Sequence, residues 1–231
     1  MGNKPKAPQN ERRQKVEALK RQQKSAERKK TVGVVIGATV VAAALIAIPT
    51  VKILKDRAEN NVNIATIGSP IDLAKCDDEK KDTSEGSGDH VDGDVKYDTI
   101  PPSSGSHFGT PITVNARGFY TKDDVPRVEE LVHNLEHGYT VLWYEPDIDA
   151  ADKETLQKLA KRLHGDTKYR KFIAAAWDTS RGDFPNDKPF ALAHWGKSDS
   201  FRQYCGAVSG PATLRFMNEH PATDAPEPNT P

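Results

Sequence analysis

The sequence predicts an α+β domain, a small mixed β-sheet packed with about three helices, carried on a single N-terminal transmembrane helix. An uncharged apolar stretch at residues 31–51 predicts the transmembrane helix. Beyond residue 120, segments with helical apolar periodicity alternate with short runs of branched and aromatic residues, which predicts the mixed domain. The predicted regions are a basic tail at 1–30, the transmembrane helix at 31–51, a juxtamembrane linker at 52–74, the α+β domain at 75–220 and a disordered Pro-rich tail at 221–231.

Charge is distributed unequally along the chain, although the formal net charge is zero. Residues 1–30 hold eleven Lys or Arg and three acidic residues, whereas residues 52–231 hold 22 basic and 30 acidic residues. The positive-inside rule therefore predicts a single-pass protein of the plasma membrane with a cytoplasmic N-terminus and an extracytoplasmic domain. Because no aromatic residues interleave the basic ones, nucleic acid is not an expected partner, and the tail should lie near anionic headgroups.

The lipid bilayer is the expected partner of residues 31–51. Their 21 residues would form a helix about 31 Å long, which matches a hydrocarbon core of about 30 Å. A cleaved signal peptide is the alternative, but the preceding basic region is long and no clear A-x-A site follows. An extracytoplasmic domain also leaves room for a partner protein in the cell envelope.

The two cysteines, Cys76 and Cys205, both fall in the part expected outside the membrane. An isolated pair in an oxidising compartment predicts a disulfide, worth about 4–5 kcal/mol for a loop of roughly 130 residues. The alternative is two unrelated thiols. A redox-active pair is not predicted, because the chain has no C-x-x-C.

The first part of the predicted domain is loop. Residues 75–98 are acidic and rich in Gly and Ser, so we expect a solvated loop with at most a short strand at 95–97. Two prolines within residues 100–108 remove backbone donors and block a helix. The sequence therefore predicts a rigid loop that presents Ser103, Ser104 and His107.

Regular elements follow the loop. A helix is predicted at 126–137 before Gly138, strands at 139–144, 171–177 and 189–195, a second helix from 149 or 152 to 164, and a last helix from 210 to 219. This order predicts a two-layer or three-layer α+β domain. It is partly similar to a thioredoxin-like order, without the redox motif.

The helix predicted at 126–137 holds the most chemistry, because His133 and His137 are four residues apart on one helical face. Together with Glu136 they also fit the reversed zincin pattern H-x-x-E-H, in which the glutamate would be the catalytic base. At steps of 100° the histidines lie opposite the apolar stripe of the helix, which consists of Val128, Leu131, Val132 and Leu135. We therefore expect them to face solvent or a second layer, which the loop bearing His107 could supply.

Several motifs resemble the family known as domain of unknown function 3105, found mainly in membrane-anchored actinobacterial proteins. They are His90-Val91, Tyr97 through His107, Gly118-Phe119-Tyr120, His133-Asn134-Leu135-Glu136-His137-Gly138, Ala193-His194-Trp195-Gly196 and Ala225-Pro226-Glu227-Pro228. The resemblance covers about residues 65–228. It implies that His90, His107, His133 and His137 belong to one recurring constellation. His194 departs from the family pattern and is not expected to be a site residue.

Three functions fit these residues. The first is a transition-metal site for zinc or copper, with His90, His107, His133 and His137 as ligands and Glu136, Glu130 and Ser104 supporting them. The second is a non-catalytic envelope interaction module with a structural histidine network. The third is a metal-dependent hydrolase in which Glu136 activates water, although a third zincin ligand is not evident. A serine nucleophile at Ser103 or Ser104 lacks the G-x-S-x-G elbow and an oxyanion site.

Overall fold

The computed structural model describes residues 9–84, 88–112 and 117–230. The chain divides into two units, one up to Arg57 and one from Ala58 onward. The first eight residues of the predicted basic tail and the last residue of the predicted C-terminal tail lie outside the described residues.

The described part of the first unit is helical, and its helix α1, Gln9–Asn60, ends three residues beyond the unit boundary at Arg57. Its apolar part lies within Glu11–Lys52, which is long and apolar enough to cross a membrane by length and composition. The helix also includes the described part of the basic tail and continues to Asn60. The predicted linker at 52–74 therefore begins as helix.

The second unit is built on a six-stranded mixed sheet. Its strands are β1 Lys80–Thr83, β2 Phe119–Tyr120, β3 Thr140–Tyr144, β4 Phe172–Ala176, β5 Phe190–Trp195 and β6 Asp199–Cys205. Their order across the sheet is β1-β6-β5-β3-β4-β2. The pairs β2–β4 and β3–β4 are parallel, and the others are antiparallel.

Three helices cover both faces of the sheet: α2 Val128–Glu136, α3 Ala150–His164 and α4 Gly210–Glu219. Alternate residues of a strand point to opposite faces. In β3, Val141 and Trp143 pack in one apolar cluster with α2, whereas Leu142 and Tyr144 pack in the other with α3 and α4. The domain is therefore a three-layer arrangement, which confirms the predicted α+β class.

The linker prediction is wrong for residues 61–74, which pack onto the domain. Ile64 and Ile67 are buried in the α3–α4 cluster, and the short 3-10 turn between them is capped by the Asn63 side chain. The disulfide Cys76–Cys205 then joins the following segment to the end of β6, as predicted.

Residues 75–98 also differ from the predicted solvated loop, because they include strand β1. In β1, Asp82 accepts two hydrogen bonds from the guanidinium of Arg202 on β6, at 2.8 and 3.1 Å. The expected strand at 95–97 does not form. The Val95 N–H instead donates to the buried carboxylate of Glu129 on α2, and the Val95 carbonyl accepts from Arg181.

Residues 221–230 are ordered and not the disordered tail that their proline content predicts. Ala225 is fully buried, and the backbone N–H of Glu227 donates to the Glu136 carbonyl at the end of α2. Gly138 permits this packing. It has a φ of +87°, and a Cβ atom there would lie 2.4 Å from the Ala222 carbonyl oxygen.

Candidate metal centre

Four potential metal ligands converge beside α2: His90, His107, His133 and Glu136. One nitrogen or oxygen atom from each lies within 4.8 Å of the others. His107, His133 and Glu136 are buried, with relative exposures of 0, 4 and 2%, whereas His90 is exposed. The group is therefore a buried pocket with one member at the surface.

Helix α2 supplies two of these ligands on the face away from the sheet. Leu131 and Leu135 are fully buried in the cluster under the helix, which leaves His133 and Glu136 toward the loop layer. The helix ends in two hydrogen bonds, from Gly138 N to Leu135 O and from Tyr139 N to Asn134 O. This C-terminal motif fixes the last turn, on which Glu136 lies.

The Pro-Pro loop is anchored from the opposite side by polar groups of the sheet. The Arg202 guanidinium, held by Asp82, donates to the Ile100 carbonyl at 2.9 Å. Ser103 and Ser104 are buried, and each hydroxyl lies within hydrogen-bond distance of the Ser200 hydroxyl. These contacts hold the loop against β6 just before His107.

A short parallel bridge pairs His90 with His107. Val91 N donates to the His107 carbonyl, and His107 N donates to the Asp89 carbonyl, at 2.9 and 3.1 Å. Paired residues of a bridge project to the same side. Accordingly, the two imidazole centroids are 5.1 Å apart, and both rings lie within 5.0 Å of the His133 ring.

Backbone carbonyls orient the buried imidazoles. His107 Nδ1 lies 2.9 Å from the Gly105 carbonyl oxygen, and His133 Nδ1 lies 2.6 Å from that of Phe108. Because a carbonyl oxygen only accepts, Nδ1 must be the protonated nitrogen in both rings. Each neutral ring then has its lone pair on Nε2. This arrangement is typical of metal-binding histidines, whose other nitrogen is held by an outer partner.

Asn134 fastens the loop to the helix a second time. Its amide nitrogen donates to the Ile112 carbonyl, and its amide oxygen accepts from Ile112 N, at 3.1 and 3.0 Å. The guanidinium of Arg127, at the start of α2, also lies 4.9 Å from the centre of the Phe108 ring. The segment 108–112, whose Phe108 carbonyl accepts from His133, thus contacts both ends of α2.

The contact between His107 and Glu136 calls for a positive charge. His107 Nε2 lies 3.1 Å from Glu136 Oε2, although the two atoms are not aligned as a hydrogen bond. A neutral His107, protonated on Nδ1, would turn a lone pair toward the carboxylate. Two electron-rich atoms at this distance repel each other unless a proton or a metal cation lies between them.

The pKa shifts have the same origin. Burial alone would lower the pKa of His107, but the Glu136 carboxylate and the Gly105 carbonyl raise it above its ordinary value. Burial would raise the pKa of Glu136, but His107 and the other imidazoles lower it. Burial lowers the pKa of His133 to about 4, against the opposing effect of the Phe108 carbonyl, so His133 is neutral at pH 7.

The donor set suits zinc or Cu(II). Three imidazoles and one carboxylate are ligands that both metals accept. In a tetrahedral zinc site with bonds of about 2.1 Å, neighbouring ligand atoms are about 3.4 Å apart. The His107–Glu136 separation of 3.1 Å is close to that value, and the widest separation in the group, up to 4.8 Å, requires a modest contraction.

His137 belongs to a second group, which consists of Glu136, His137 and Glu227. His137 Nε2 lies 3.6 Å from Glu227 Oε2. Glu227 lies on the C-terminal tail, which is held by its own backbone hydrogen bond to Glu136 O. The two histidines of H-x-x-E-H therefore fall in adjacent groups that share Glu136.

A family model described as "Protein of unknown function (DUF3105)" matches residues 90–231, more than half of the chain. The chain belongs to the DUF3105 family. The matched part of this DUF3105 protein begins at His90 and includes all the residues of both groups. No curated protein and no solved structure matches the chain.

Some predicted supporting residues of the DUF3105 site have other contacts. The Glu130 carboxylate accepts from the backbone N–H of Arg127 and caps the start of α2, so it does not support an imidazole as predicted. Ser104 interacts with Ser200 in the loop anchor. Glu136, predicted to stand behind the ligands, has its carboxylate among them.

Two contributors were missed by sequence reasoning. The position of Asn134 between the two motif histidines was a signal available in the sequence. The structure shows that Asn134 is buried. Glu227 was available only through the Ala225–Pro228 ending that resembles the DUF3105 family. The proline content of this segment predicts a disordered tail instead.

His194 lies outside both groups, on β5. It is fully buried, and neither ring nitrogen makes a hydrogen bond with the described residues. Burial lowers its pKa to about 3, with a further contribution from His220, while the Tyr139 backbone opposes the shift. It is a neutral core histidine.

Proposed function

We propose that this DUF3105 domain binds a transition metal, zinc or copper, through His90, His107, His133 and Glu136. The observation that carries the proposal is the His107–Glu136 contact, in which two buried electron-donating atoms lie 3.1 Å apart and repel each other unless a proton or a metal cation lies between them. The fixed Nδ1 hydrogen bonds of His107 and His133 support it, because they leave Nε2 of each ring as a lone-pair donor.

The site would operate at the outer face of the plasma membrane. The apolar stretch of α1 is the proposed anchor, and the basic flank before it favours a cytoplasmic N-terminus. The Cys76–Cys205 disulfide supports an oxidising, extracytoplasmic location for the domain. Protease added to intact cells should therefore cleave the domain and spare the N-terminal tail.

Metal analysis of the full chain, purified in detergent without a polyhistidine tag, tests the proposal. After incubation with zinc or copper and removal of free ion, we expect bound metal and an increased melting temperature. An ion at 100 times its Kd would add about 2.7 kcal/mol of stability. The variant His133→Gln should lose the effect, and His164→Gln, outside both groups, should keep it.

The competing function is an interaction module in which the same residues form a histidine network without metal. The raised pKa of His107 favours this alternative, because an imidazolium could supply the required positive charge. The two functions predict opposite results. A chain that binds neither metal, and whose melting temperature neither metal changes, would refute metal binding and favour the network.

Hydrolysis by the H-x-x-E-H mechanism is less well supported. That mechanism needs both histidines on one ion and a free glutamate as base. Here His133 and His137 fall in different groups, and Glu136 lies among the ligand atoms of both. Glu136→Gln should therefore weaken metal binding itself, whereas a purely catalytic base would leave binding intact.

A further inference from the structure

We propose that the domain holds a second divalent transition-metal ion at Glu136, His137 and Glu227, and that the Glu136 carboxylate is shared by the two ions. This inference rests on the proposed function, because Glu136 belongs to both sites. It turns the centre from a mononuclear one into a dinuclear one.

The first argument is the geometry of the three ligands. One ligand atom from each of Glu136, His137 and Glu227 lies within 4.8 Å of the others, with 3.6 Å between His137 Nε2 and Glu227 Oε2. His137 and Glu136 are buried, with relative exposures of 5 and 2%. Only Glu227 is open to solvent, with a side-chain exposure of 53%. The site therefore has a fixed buried side and an exposed side for entry of the ion.

The second argument is the shared carboxylate. A carboxylate has two oxygens and can bind one ion through each of them. Glu136 lies within ligand distance of His107 and also of the His137–Glu227 pair. The His133 and His137 ring centroids are only 4.5 Å apart. This spacing suits a pair of ions about 3.5–4 Å apart, as in known two-metal sites.

The third argument is that the tail is built to bring Glu227 to this position. The Glu227 N–H donates to Glu136 O at 3.0 Å. Lys171 Nζ donates to the carbonyls of His137, Pro228 and Thr230, at 2.7, 3.0 and 2.9 Å. One ammonium group thus joins the end of α2 to both sides of the tail. The clamp fixes the Glu227 backbone next to His137 through contacts that do not involve the Glu227 carboxylate.

The Glu227 carboxylate also offsets part of the charge of the second ion. An ion bound by three neutral imidazoles and the Glu136 carboxylate retains a net positive charge. A second cation beside it would be repelled unless another carboxylate were present. Glu227 supplies that carboxylate next to His137.

The test is the zinc stoichiometry of the full chain in detergent, measured by elemental analysis after removal of free ion. We expect two zinc ions per chain for the natural sequence and one for Glu227→Gln. Glutamine keeps the backbone hydrogen bond and the Lys171 clamp, and residue 227 is exposed, so the fold should survive. Glu154→Gln, an exposed change on α3, is the matched control and should retain two ions. Glu79→Gln should also retain two, which excludes a contribution from the Glu79–Glu219–His220 group.

Electron paramagnetic resonance of the copper-loaded chain gives an independent measurement. Two Cu(II) ions that share a carboxylate should couple magnetically, so the paramagnetic resonance signal should integrate to far less than two spins per chain. Glu227→Gln should give one isolated Cu(II) signal. One zinc ion in both the natural chain and Glu227→Gln would overturn the second site and leave the first intact. Two uncoupled Cu(II) spins per chain would overturn the sharing of the Glu136 carboxylate. No bound metal at all would overturn the proposed function as well.

Discussion

His194 should make the domain sensitive to mild acid for a reason unrelated to metal. The ring is fully buried and has no hydrogen bond with the described residues, and its pKa falls from 6.5 to about 3 in the folded state. In the unfolded chain it titrates near 6.5. Between pH 6.5 and 3 the unfolded state therefore binds a proton that the folded state excludes. The contribution of His194 to stability is fully present above pH 6.5 and is lost as the pH falls.

The magnitude can be worked out at pH 5. This pH is about 1.5 units below the pKa of His194 in the unfolded chain, so the unfolded residue is protonated. His194 in the folded domain is still neutral at this pH. The difference costs about 2 kcal/mol of unfolding free energy. This figure changes little if the folded pKa is 4 instead of 3, because the unfolded pKa sets it. His194→Leu keeps a similar volume and removes the proton, so it should lose about 2 kcal/mol less than the natural chain between pH 7.5 and 5.

Denaturant unfolding followed by tryptophan emission measures this effect. All three tryptophans, Trp143, Trp177 and Trp195, lie in the second unit, so the signal reports on the domain and not on α1. Other groups also titrate in this range. The relevant quantity is therefore the difference between the natural chain and His194→Leu, with His164→Gln as the control for losing a histidine. If His194→Leu loses as much stability as the natural chain, the assignment of His194 as the acid-sensitive group is refuted.

Three further predictions concern the site and its supports. Zinc affinity should fall between pH 7.5 and 6.5, by at most about tenfold for each proton that zinc displaces, because zinc competes with a proton for His107, whose pKa is raised. Calorimetry in two buffers would count the displaced protons, and no proton release would contradict the ligand assignment. Asp82→Asn should destabilise the domain by about 3 kcal/mol, since it leaves the buried Arg202 without its carboxylate. It should also weaken zinc binding, because the Pro-Pro loop loses part of its anchor. An unchanged zinc affinity would show that the loop does not need this anchor. Replacing both Cys76 and Cys205 with Ser should cost about 4 kcal/mol of unfolding free energy and leave the metal stoichiometry unchanged.

The sequence was most informative where chemistry was local. The apolar stripe of α2 and Gly138 predicted both the helix and the side on which His133 lies, because helical periodicity needs only neighbouring residues. The same periodicity does not distinguish solvent from the Pro-Pro loop as the neighbour of that side, because the loop lies elsewhere in the sequence. The central strands β3, β4 and β5 were predicted as well, since they are continuous apolar runs typical of strands buried on both faces.

Non-local pairing explains what was missed. Strand β1 is Lys-Lys-Asp-Thr, which has no apolar pattern, and it forms because β6 offers an unpaired edge and Arg202 offers a partner to Asp82. Strand β6 was missed because it mixes polar and aromatic residues. Its Arg202 and Gln203 side chains donate hydrogen bonds to segments far away in the sequence. The C-terminal tail was missed because its order depends on Lys171, about 57 residues away along the chain. No local pattern contains these partners.

The anchoring of the site indicates how it would use a metal. A structural zinc site is often unfolded without its ion, since the ligands have no other support. Here each buried ligand has its own support: His107 on Gly105 and the loop anchor, His133 on Phe108, and Glu136 on the last turn of α2. The domain should therefore fold without metal. Among the four candidate ligands of the first group, His90 alone is exposed, so an ion could enter and leave through that side without unfolding. A preformed pocket with one exposed ligand favours an exchangeable ion over a permanent structural one.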